Sequence, residues 1–363
     1  MKNKVILFTE KDKAELIEED IPNLGKNDVL VKLAISAVSS GTERANLSGE
    51  EAVTIFDKKV PFPRRCGYSS AGIVEKIGEN VSGIAPGDRV ALSWSTHSQY
   101  CRINQDNVHK ILDPKISFEE AALWHISTFP TAAIRKCHLE MGESAIVMGQ
   151  GILGMMAIKL LSAAGAAPII AADPIEEKRK KALEIGADYA FNPFDNDFID
   201  KVKSVSDGGV NVAIEVTGNG QALDTTLDCM SQMGRVAILG CTRNSDFKID
   251  YYKKVHGRGV SLIGAHTLAR PEKESSPGLW TTHDDVMAVQ KLVMHNRLSL
   301  RSLTDEIHSP IDAPRSIKDL SKKKHFPLWN LIGGNYEKNK NCTDRNKRLQ
   351  PRFRYYFGIK KSR

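Results

Sequence analysis

The chain has 363 residues, 41% of them hydrophobic and 26% charged, which is typical of a globular protein with room for two domains. It contains no run of about 20 apolar residues, and its first residues become charged too early for a signal peptide. We therefore expect a cytoplasmic protein with no membrane contact. The net charge of +7 comes from residues 331–363. The remainder of the chain is nearly neutral, so its charge gives no argument for nucleic-acid binding.

The first third of the chain is predicted to be rich in β-strands. Apolar and β-branched runs occur at Lys4–Phe8, Asp28–Val38 and Ser69–Gly78, and turn signals such as PNLGKND and SGIAPGDRV separate them. Short strands broken by turns favour a barrel-like or partly open β domain. The following segment, Phe118–Lys136, is predicted to be helical on both sides of Pro130 and to lead into a second domain.

A glycine-rich turn organises that second domain. The predicted strand Ala145–Met148 is followed by Gly149, Gly151 and Gly154 in GxGxxG spacing, and then by a predicted helix, Ile152–Ala164. The first glycine permits the tight turn, the second lets a pyrophosphate approach the backbone, and the third lets the helix pack closely on the sheet. The spacing in this context favours a dinucleotide site over an ordinary βαβ turn.

Neighbouring residues extend this prediction to a specific cofactor. The free N–H groups of the first helical turn, at Ile152 and Leu153, carry partial positive charge that favours phosphate. Asp173 ends the next predicted strand, Pro168–Ala172, where its carboxylate can accept hydrogen bonds from the adenosine ribose. A carboxylate there repels a 2′-phosphate, so NAD is expected and NADP is less favoured. Lys178 is either a second ribose contact or one exposed charge of a charged run.

The remainder of the domain alternates predicted strands and helices, which argues for a doubly wound parallel sheet. Thr217 and Gly240 follow the ends of two such strands, where ligands bind in sheets of this kind. A last amphipathic helix is predicted at His283–Leu298. The further elements predicted after Asp173 are the helix Glu176–Gly186 and the strands Val212–Val216, Arg235–Leu239 and Ser261–Ile263.

In this order, the features resemble the medium-chain dehydrogenase/reductase superfamily, and within it the relatives of zinc-type alcohol dehydrogenases. The resemblance runs from Met1 to Phe326 and is carried by VSSGTE (Val38–Glu43), CGYSSAGIVEKIGENVSGIAPGDRV (Cys66–Val90), FEEAAL (Phe118–Leu123), GESAIVMGQGILG (Gly142–Gly154) and EIGADYAFNP (Glu184–Pro193).

The resemblance implies an α/β fold with two domains. A GroES-like β-rich substrate domain, residues 1–126 and 267–330, is joined to a Rossmann NAD-binding domain, residues 127–266, with a doubly wound parallel sheet. It also implies a homo-oligomer, dimer or tetramer, that acts on a small-molecule substrate. No family pattern continues into the basic tail, residues 331–363, which we expect to be poorly ordered.

The zinc ligands of the family are missing. Zinc-dependent members carry Cys-Gly-Thr/Ser-Asp and Gly-His-Glu motifs, where this chain has Ser40 and Tyr68 in place of the ligand Cys and His. His125 stands near the third ligand position, and the six cysteines form no CxxC pair. A rebuilt site from Cys66, His97, His125 and Glu43 is an alternative, but we expect no metal and place the chain with relatives that lack the ligands.

Without zinc, another group must manage the proton on the substrate oxygen. Thr42 stands where the family carries a proton-relaying hydroxyl, although it can equally cap a turn. Tyr68 is expected to point into the former metal site, where its phenol either donates to a carbonyl oxygen or only fills volume. His97 is placed by the resemblance on a strand that lines the pocket, as an acid–base group or as a hydrogen-bonded wall residue.

The sequence thus predicts an NAD-dependent, zinc-independent oxidoreductase that interconverts a secondary alcohol and a ketone by hydride transfer. Two alternatives stay open. The first is an NAD(P)H-dependent reductase of an activated double bond or a quinone, which Asp173 disfavours. The second is a catalytically inactive dinucleotide-binding protein, in which the lost zinc ligands mark lost catalysis.

Overall fold

The structure, a computed structural model, describes residues 2–50, 60–243, 247–304, 306–320 and 330–333. Its strands are β1 (Lys2–Glu10), β2 (Lys13–Asp20), β3 (Asp28–Val38), β4 (Arg64–Arg65), β5 (Ser69–Ile77), β6 (Arg89–Ser93), β7 (Tyr100–Asn104), β8 (Val108–Lys110), β9 (Ala145–Met148), β10 (Ile169–Ala172), β11 (Tyr189–Phe191), β12 (Val210–Glu215), β13 (Met230–Ile238), β14 (Ser261–Gly264), β15 (Glu306–His308) and β16 (Asn330–Gly333). Its helices are α1 (Ser40–Leu47), α2 (Phe118–Ala121), α3 (Trp124–Lys136), α4 (Ile152–Ala164), α5 (Glu176–Glu184), α6 (Phe198–Val205), α7 (Gly220–Cys229), α8 (Thr282–Met294) and α9 (Ala313–Leu320).

Strands β1–β8, β15 and β16 form two sheets, which make up the β domain. One has the order β2-β1-β4, and the other has the order β15-β16-β3-β5-β6-β8, with β7 also paired to β3. The central strand β3 is buried at most of its positions, because its residues pack into separate core clusters, with Val29, Val31 and Leu33 in one and Ile35 and Ala37 in another. The short strand β16 pairs antiparallel with β3, so residues from the end of the chain complete this domain.

The second half forms one parallel sheet of order β11-β10-β9-β12-β13-β14. The four residues of β9 are fully buried, as expected for a central strand covered by helices on both faces. The strand order reverses beside β9, and in such sheets the ligand crevice opens at this point, outside the carboxyl ends of the strands. The expected doubly wound Rossmann sheet is confirmed.

Helix α3 joins the two halves. It packs against α4 of the parallel sheet and against α8, and it stays helical through Pro130. Its Trp124, Ile126 and Ala133 belong to the same buried core as Met155 and Ile158 of α4. This shared core positions the parallel sheet beside the β domain, with a cleft between them.

Two of the predicted domain boundaries coincide with elements of secondary structure. The division between residues 126 and 127 lies inside α3, which buries side chains against both domains. The predicted tail, residues 331–363, begins inside β16, where Leu331 and Ile332 are buried against the β domain. Residues 334–363 lie outside the described residues. None of the described helices is long and apolar enough to cross a membrane.

Candidate active site

A cavity of about 270 Å³ lies in the cleft between the two domains. The β domain contributes its polar floor and part of an aromatic wall, and the parallel sheet contributes the opposite side. Its described lining residues are Ser39, Thr42, Tyr68, Trp94, Phe129, Leu153, Leu239, Cys241, Arg243, His266, Thr267 and Leu268.

The polar floor is built at the start of α1 and at the turn before β5. Ser39 is the N-cap of α1, and its Oγ donates to the Oγ1 of Thr42 at 3.4 Å. Tyr68 follows Gly67, which has a φ of +90°. A Cβ added at Gly67 would lie only 2.8 Å from the backbone nitrogen of His97, so this position requires glycine. Burial raises the pKa of the Tyr68 phenol, and hydrogen bonds to Ser39 and Thr42 oppose this only in part. Tyr68 therefore stays protonated near neutral pH and is available as a hydrogen-bond donor.

The structure does not bring His97 to this cavity. His97 is fully buried in the connection between β6 and β7, not on a strand. Its Nδ1 lies 2.8 Å from the Ser36 Oγ, and its Nε2 lies 3.2 Å from a carboxylate oxygen of Glu43. Since Glu43 belongs to α1, this network holds the helix that carries Thr42. Of the two roles that the sequence left open for His97, these contacts fit the hydrogen-bonded wall residue and not the acid–base group, although His97 lies behind the residues that line the cavity.

Aromatic rings form one wall of the cavity, which begins at the Tyr68 ring. Tyr68, Trp94 and Phe129 line it, and His125 lies behind them, with its ring centroid 4.7 Å from that of Trp94 and 5.2 Å from that of Phe129. Both His125 nitrogens are buried without a hydrogen-bond partner among the described residues. Burial lowers the pKa of His125 well below its usual value, so this imidazole is neutral.

The glycine-rich turn has the geometry that a bound pyrophosphate requires. Gly149 has a φ of +99°, and a Cβ at Gly154 would lie 1.9 Å from the Gly149 oxygen, so the strand and helix can approach this closely only with glycine. Gly151 is the N-cap of α4, and a Cβ there would meet nothing within 4 Å. The backbone at Gly151 is thus open to an approaching phosphate at the N-terminus of a 13-residue helix.

Asp173 lies directly after β10 and is tied to this turn. One carboxylate oxygen accepts from the Gln150 N–H at 2.8 Å, and the other accepts from the Ile175 N–H at 2.9 Å. The Lys178 ammonium lies 3.8 Å from the first oxygen. A carboxylate has about four acceptor positions in all, so acceptor capacity for two ribose hydroxyls remains. Lys178 lies beside the carboxylate and is mostly buried, not part of an exposed run.

The turn after β12 is held by the buried carboxylate of Glu215. It accepts from the N–H and the hydroxyl of Thr217 and from the Gly218 N–H. Gly240, after β13, packs so closely that a Cβ would lie 2.2 Å from the Gly218 nitrogen. Thr217 and Gly240 therefore lie next to each other at the carboxyl ends of adjacent strands. Leu153 lines the cavity, and Ile152 begins α4 beside it.

The residues present fit a dinucleotide and do not fit zinc. The open Gly151 backbone, the free α4 N-terminus and the Asp173 carboxylate suit a pyrophosphate and a ribose. Two positions that carry zinc ligands in the family hold Ser40 and Tyr68. His125 stands near the third, and its nitrogens lie among aromatic rings without a partner among the described residues. Within the part of the chain that the structure describes, no three His, Cys, Asp or Glu side chains group closely enough to bind a metal ion.

Sequence reasoning missed several lining residues. Trp94 and Phe129 carry no motif, and their role depends on packing between segments 35 residues apart in sequence. Arg243 lines the cavity and pairs with Glu50 at 2.9 Å. Cys241, which also lines the cavity, directly follows Gly240 at a predicted strand end, where the sequence indicates a ligand crevice.

Comparison with known proteins agrees with this architecture. Residues 25–125 match the model of the alcohol dehydrogenase GroES-like domain, and residues 153–279 match that of zinc-binding dehydrogenase. The chain is 30% identical over 289 residues to L-threonine 3-dehydrogenase of Pyrococcus furiosus, covering 69% of this chain and 79% of that protein. It is 29% identical over 253 residues to sorbitol dehydrogenase of Mus musculus, covering 61% and 70%. The crystal structure of 2R,3R-butanediol dehydrogenase from Bacillus subtilis superposes with a TM-score of 0.78 at 21% identity, over 92% of this chain and 100% of that chain.

Proposed function

The chain belongs to the medium-chain dehydrogenase/reductase superfamily, among the relatives of zinc-type alcohol dehydrogenases, and it is an alcohol dehydrogenase-like oxidoreductase. Starting from that membership, we propose that it interconverts a secondary alcohol and a ketone with NAD and without zinc. The observation that carries the proposal is the group of hydroxyls formed by Ser39, Thr42 and Tyr68 on the floor of the interdomain cavity.

These hydroxyls suit the task of holding a substrate oxygen. Tyr68 is kept protonated by burial, so it donates a hydrogen bond to a ketone oxygen and stabilises the negative charge that develops there during reduction. The Ser39 hydroxyl lies within reach of the Thr42 hydroxyl, which is partly exposed, so in alcohol oxidation these two groups can relay the alcohol proton to solvent water, and in ketone reduction the proton returns by the same route. When bound, NAD accepts the hydride in alcohol oxidation, and NADH supplies it in ketone reduction.

The preference for NAD is supported by the contacts of Asp173. Its carboxylate is fixed by two backbone N–H groups. The Lys178 ammonium lies 3.8 Å from it, and the Arg179 guanidinium is turned to the backbone oxygen of Asp173, to which it donates at 2.8 Å. A 2′-phosphate placed there would meet a fixed negative charge, whereas a ribose hydroxyl would find an acceptor. Gly151 and the N-terminus of α4 would hold the pyrophosphate, and Leu153 would face the nicotinamide end of the cleft.

Independence from zinc is supported by the donor set. The Tyr68 phenol and the Ser40 hydroxyl stand where a histidine and a cysteine would bind the metal. The Tyr68 ring also packs against Phe129, with 5.8 Å between the ring centroids. Zinc prefers about four nitrogen, sulfur or carboxylate ligands in a tetrahedron, and these side chains do not supply them. In this proposal Tyr68 replaces the metal as the group that polarises the oxygen.

Three measurements on the purified full-length protein test the proposal together. Elemental analysis is expected to find no stoichiometric zinc, and dialysis against a chelator is expected to leave ketone reduction unchanged. Titration is expected to show tighter binding of NADH than of NADPH. Activity lost on chelation and restored by zinc would refute the metal-free mechanism, and failure to oxidise NADH with any ketone or aldehyde would refute the reaction. The expected homo-oligomer stays a prediction, which light scattering tests.

A further inference from the structure

The aromatic wall of the cavity has an ordered geometry. The ring centroids of Tyr68, Trp94 and Phe129 form a nearly equilateral triangle with sides of 5.8, 6.3 and 6.4 Å. Phe129 is inclined by only 22° to Tyr68 and by 29° to Trp94. His125 contacts all three rings through near-perpendicular arrangements of 67° to 84° and so supports them from behind. Tyr68 and Trp94 are tilted by 43° to each other, so the three rings are not one flat stack but form an aromatic wall along one side of the cavity.

Trp94 is held in this wall by an unusual backbone conformation. It directly follows β6 and has a φ of +60°, a region that bulky residues rarely occupy because it strains the backbone. The backbone N–H of Trp94 donates to the backbone carbonyl of Tyr68 at 2.7 Å, which couples the two residues. The Trp94 side chain is nevertheless 43% exposed, so core burial does not account for the strain. Strained residues that persist beside a cavity are commonly functional.

Apart from the Thr267 hydroxyl and the Cys241 thiol, the remaining lining residues are apolar, paired or uncharged. Leu153, Leu239 and Leu268 line the side formed by the parallel sheet. Of the described lining residues, Arg243 alone carries a fixed charge, and it is paired with Glu50. Burial lowers the pKa of His266, so that imidazole is neutral near pH 7. A polyol or a zwitterionic amino acid would leave hydroxyls or charges unpaired against these surfaces, which is unfavourable.

We propose that this cavity is specific for a small alcohol or ketone whose reacting carbon bears a planar unsaturated group, an aryl ring above all, and that Trp94 is the specificity-determining residue. The identity of the reacting group rests on the function proposed above. The reacting oxygen points to the hydroxyls of the floor, and the planar group lies against the rings of Tyr68, Trp94 and Phe129. Offset-stacked and edge-to-face ring contacts add to the gain from apolar burial, which a saturated ring does not obtain. The volume of about 270 Å³ lies below the usual range for ligand sites and favours a small substrate.

The test compares two ketones of equal carbon number, acetophenone and cyclohexyl methyl ketone, on the full-length protein. Calorimetry with NAD present, where a ketone cannot be reduced, gives Kd for each ketone, and steady-state reduction with NADH gives kcat/KM. Sorbitol and L-threonine are tested in the oxidative direction with NAD. We expect acetophenone to be favoured about 5- to 10-fold in both quantities, and sorbitol and L-threonine to be poor substrates. Trp94→Leu is expected to abolish most of this preference, whereas Trp94→Phe retains it. Both variants keep a Cβ at the same positive φ, so backbone strain is matched.

The outcomes separate the two proposals. Equal Kd values for the two ketones, a preference for sorbitol or L-threonine, or a preference that survives Trp94→Leu overturns the assignment of the substrate class. Reduction of saturated ketones as fast as aryl ketones leaves the dehydrogenase function intact and overturns only this inference. Absence of turnover with every ketone, together with tighter binding of acetophenone than of its saturated partner, refutes the function and upholds the specificity of the cavity.

Discussion

Replacement of His109 by glutamine is expected to make the protein less sensitive to mild acid. His109 is buried in β8, with its Nε2 2.8 Å from the Ser93 Oγ and its Nδ1 3.2 Å from the Nδ1 of His283. Burial, with a smaller effect of His283, lowers the pKa of His109 to about 3 from an ordinary 6.5. Ser93 is the last residue of β6 and precedes Trp94, so this contact also supports the position of Trp94 in the aromatic wall.

The sign of the effect follows from proton linkage. Between about pH 6.5 and pH 3 the unfolded chain binds a proton at this position and the folded chain does not, so stability falls as the pH falls. From these two pKa values, lowering the pH from about 7.5 to about 5 removes about 2 kcal/mol from the free energy of unfolding. A glutamine side chain can replace one of the hydrogen bonds and does not titrate, so His109→Gln lacks this contribution.

Urea denaturation followed by tryptophan fluorescence measures the difference. The quantity of interest is the change in unfolding free energy between the two pH values, because His109→Gln also alters stability at neutral pH. The matched control is His295→Gln, at an exposed position just after α8. We expect His109→Gln to lose about 2 kcal/mol less than the parent protein on acidification, and the control to lose as much as the parent. Equal losses in the parent and His109→Gln would show that His109 is charged in the folded state.

Three further substitutions test the site. Asp173→Asn keeps an acceptor oxygen but removes the charge; we expect fluorescence titration to show NADH bound about 10-fold more weakly and NADPH more tightly, and an unchanged ratio of the two Kd values contradicts the ribose contact. Tyr68→Phe keeps the ring and removes the donor, so kcat is expected to fall about 10- to 100-fold with little change in KM; normal turnover leaves Thr42 as the group that holds the oxygen. His97→Asn is expected to lower the free energy of unfolding by about 1–3 kcal/mol without removing an ionisation from the pH–rate profile, because His97 does not line the cavity; the loss of such an ionisation would make His97 the proton-handling group.

The sequence predicted the elements whose signals are local. The strands Asp28–Val38 and Ala145–Met148 and the helix Ile152–Ala164 have the predicted bounds. Alternating apolar residues, a glycine turn and a C-terminal glycine determine such elements within a few residues of chain. The turn geometry at Gly154 was predictable for the same reason, since a strand and the helix that follows it must pack against each other.

Contacts between distant segments were decided only by the tertiary structure. His97 has the chemistry of an acid–base group, yet its ring is held by Ser36 and Glu43 from β3 and α1 and does not reach the cavity. Trp94 and Phe129 carry no motif, yet packing of α3 against the β domain brings them together with Tyr68. Side-chain periodicity reports which face of an element is buried, but not which other element covers it. The glycine spacing therefore determined the strand–turn–helix geometry from the sequence alone, whereas the packing of two domains decided which side chains face the cavity.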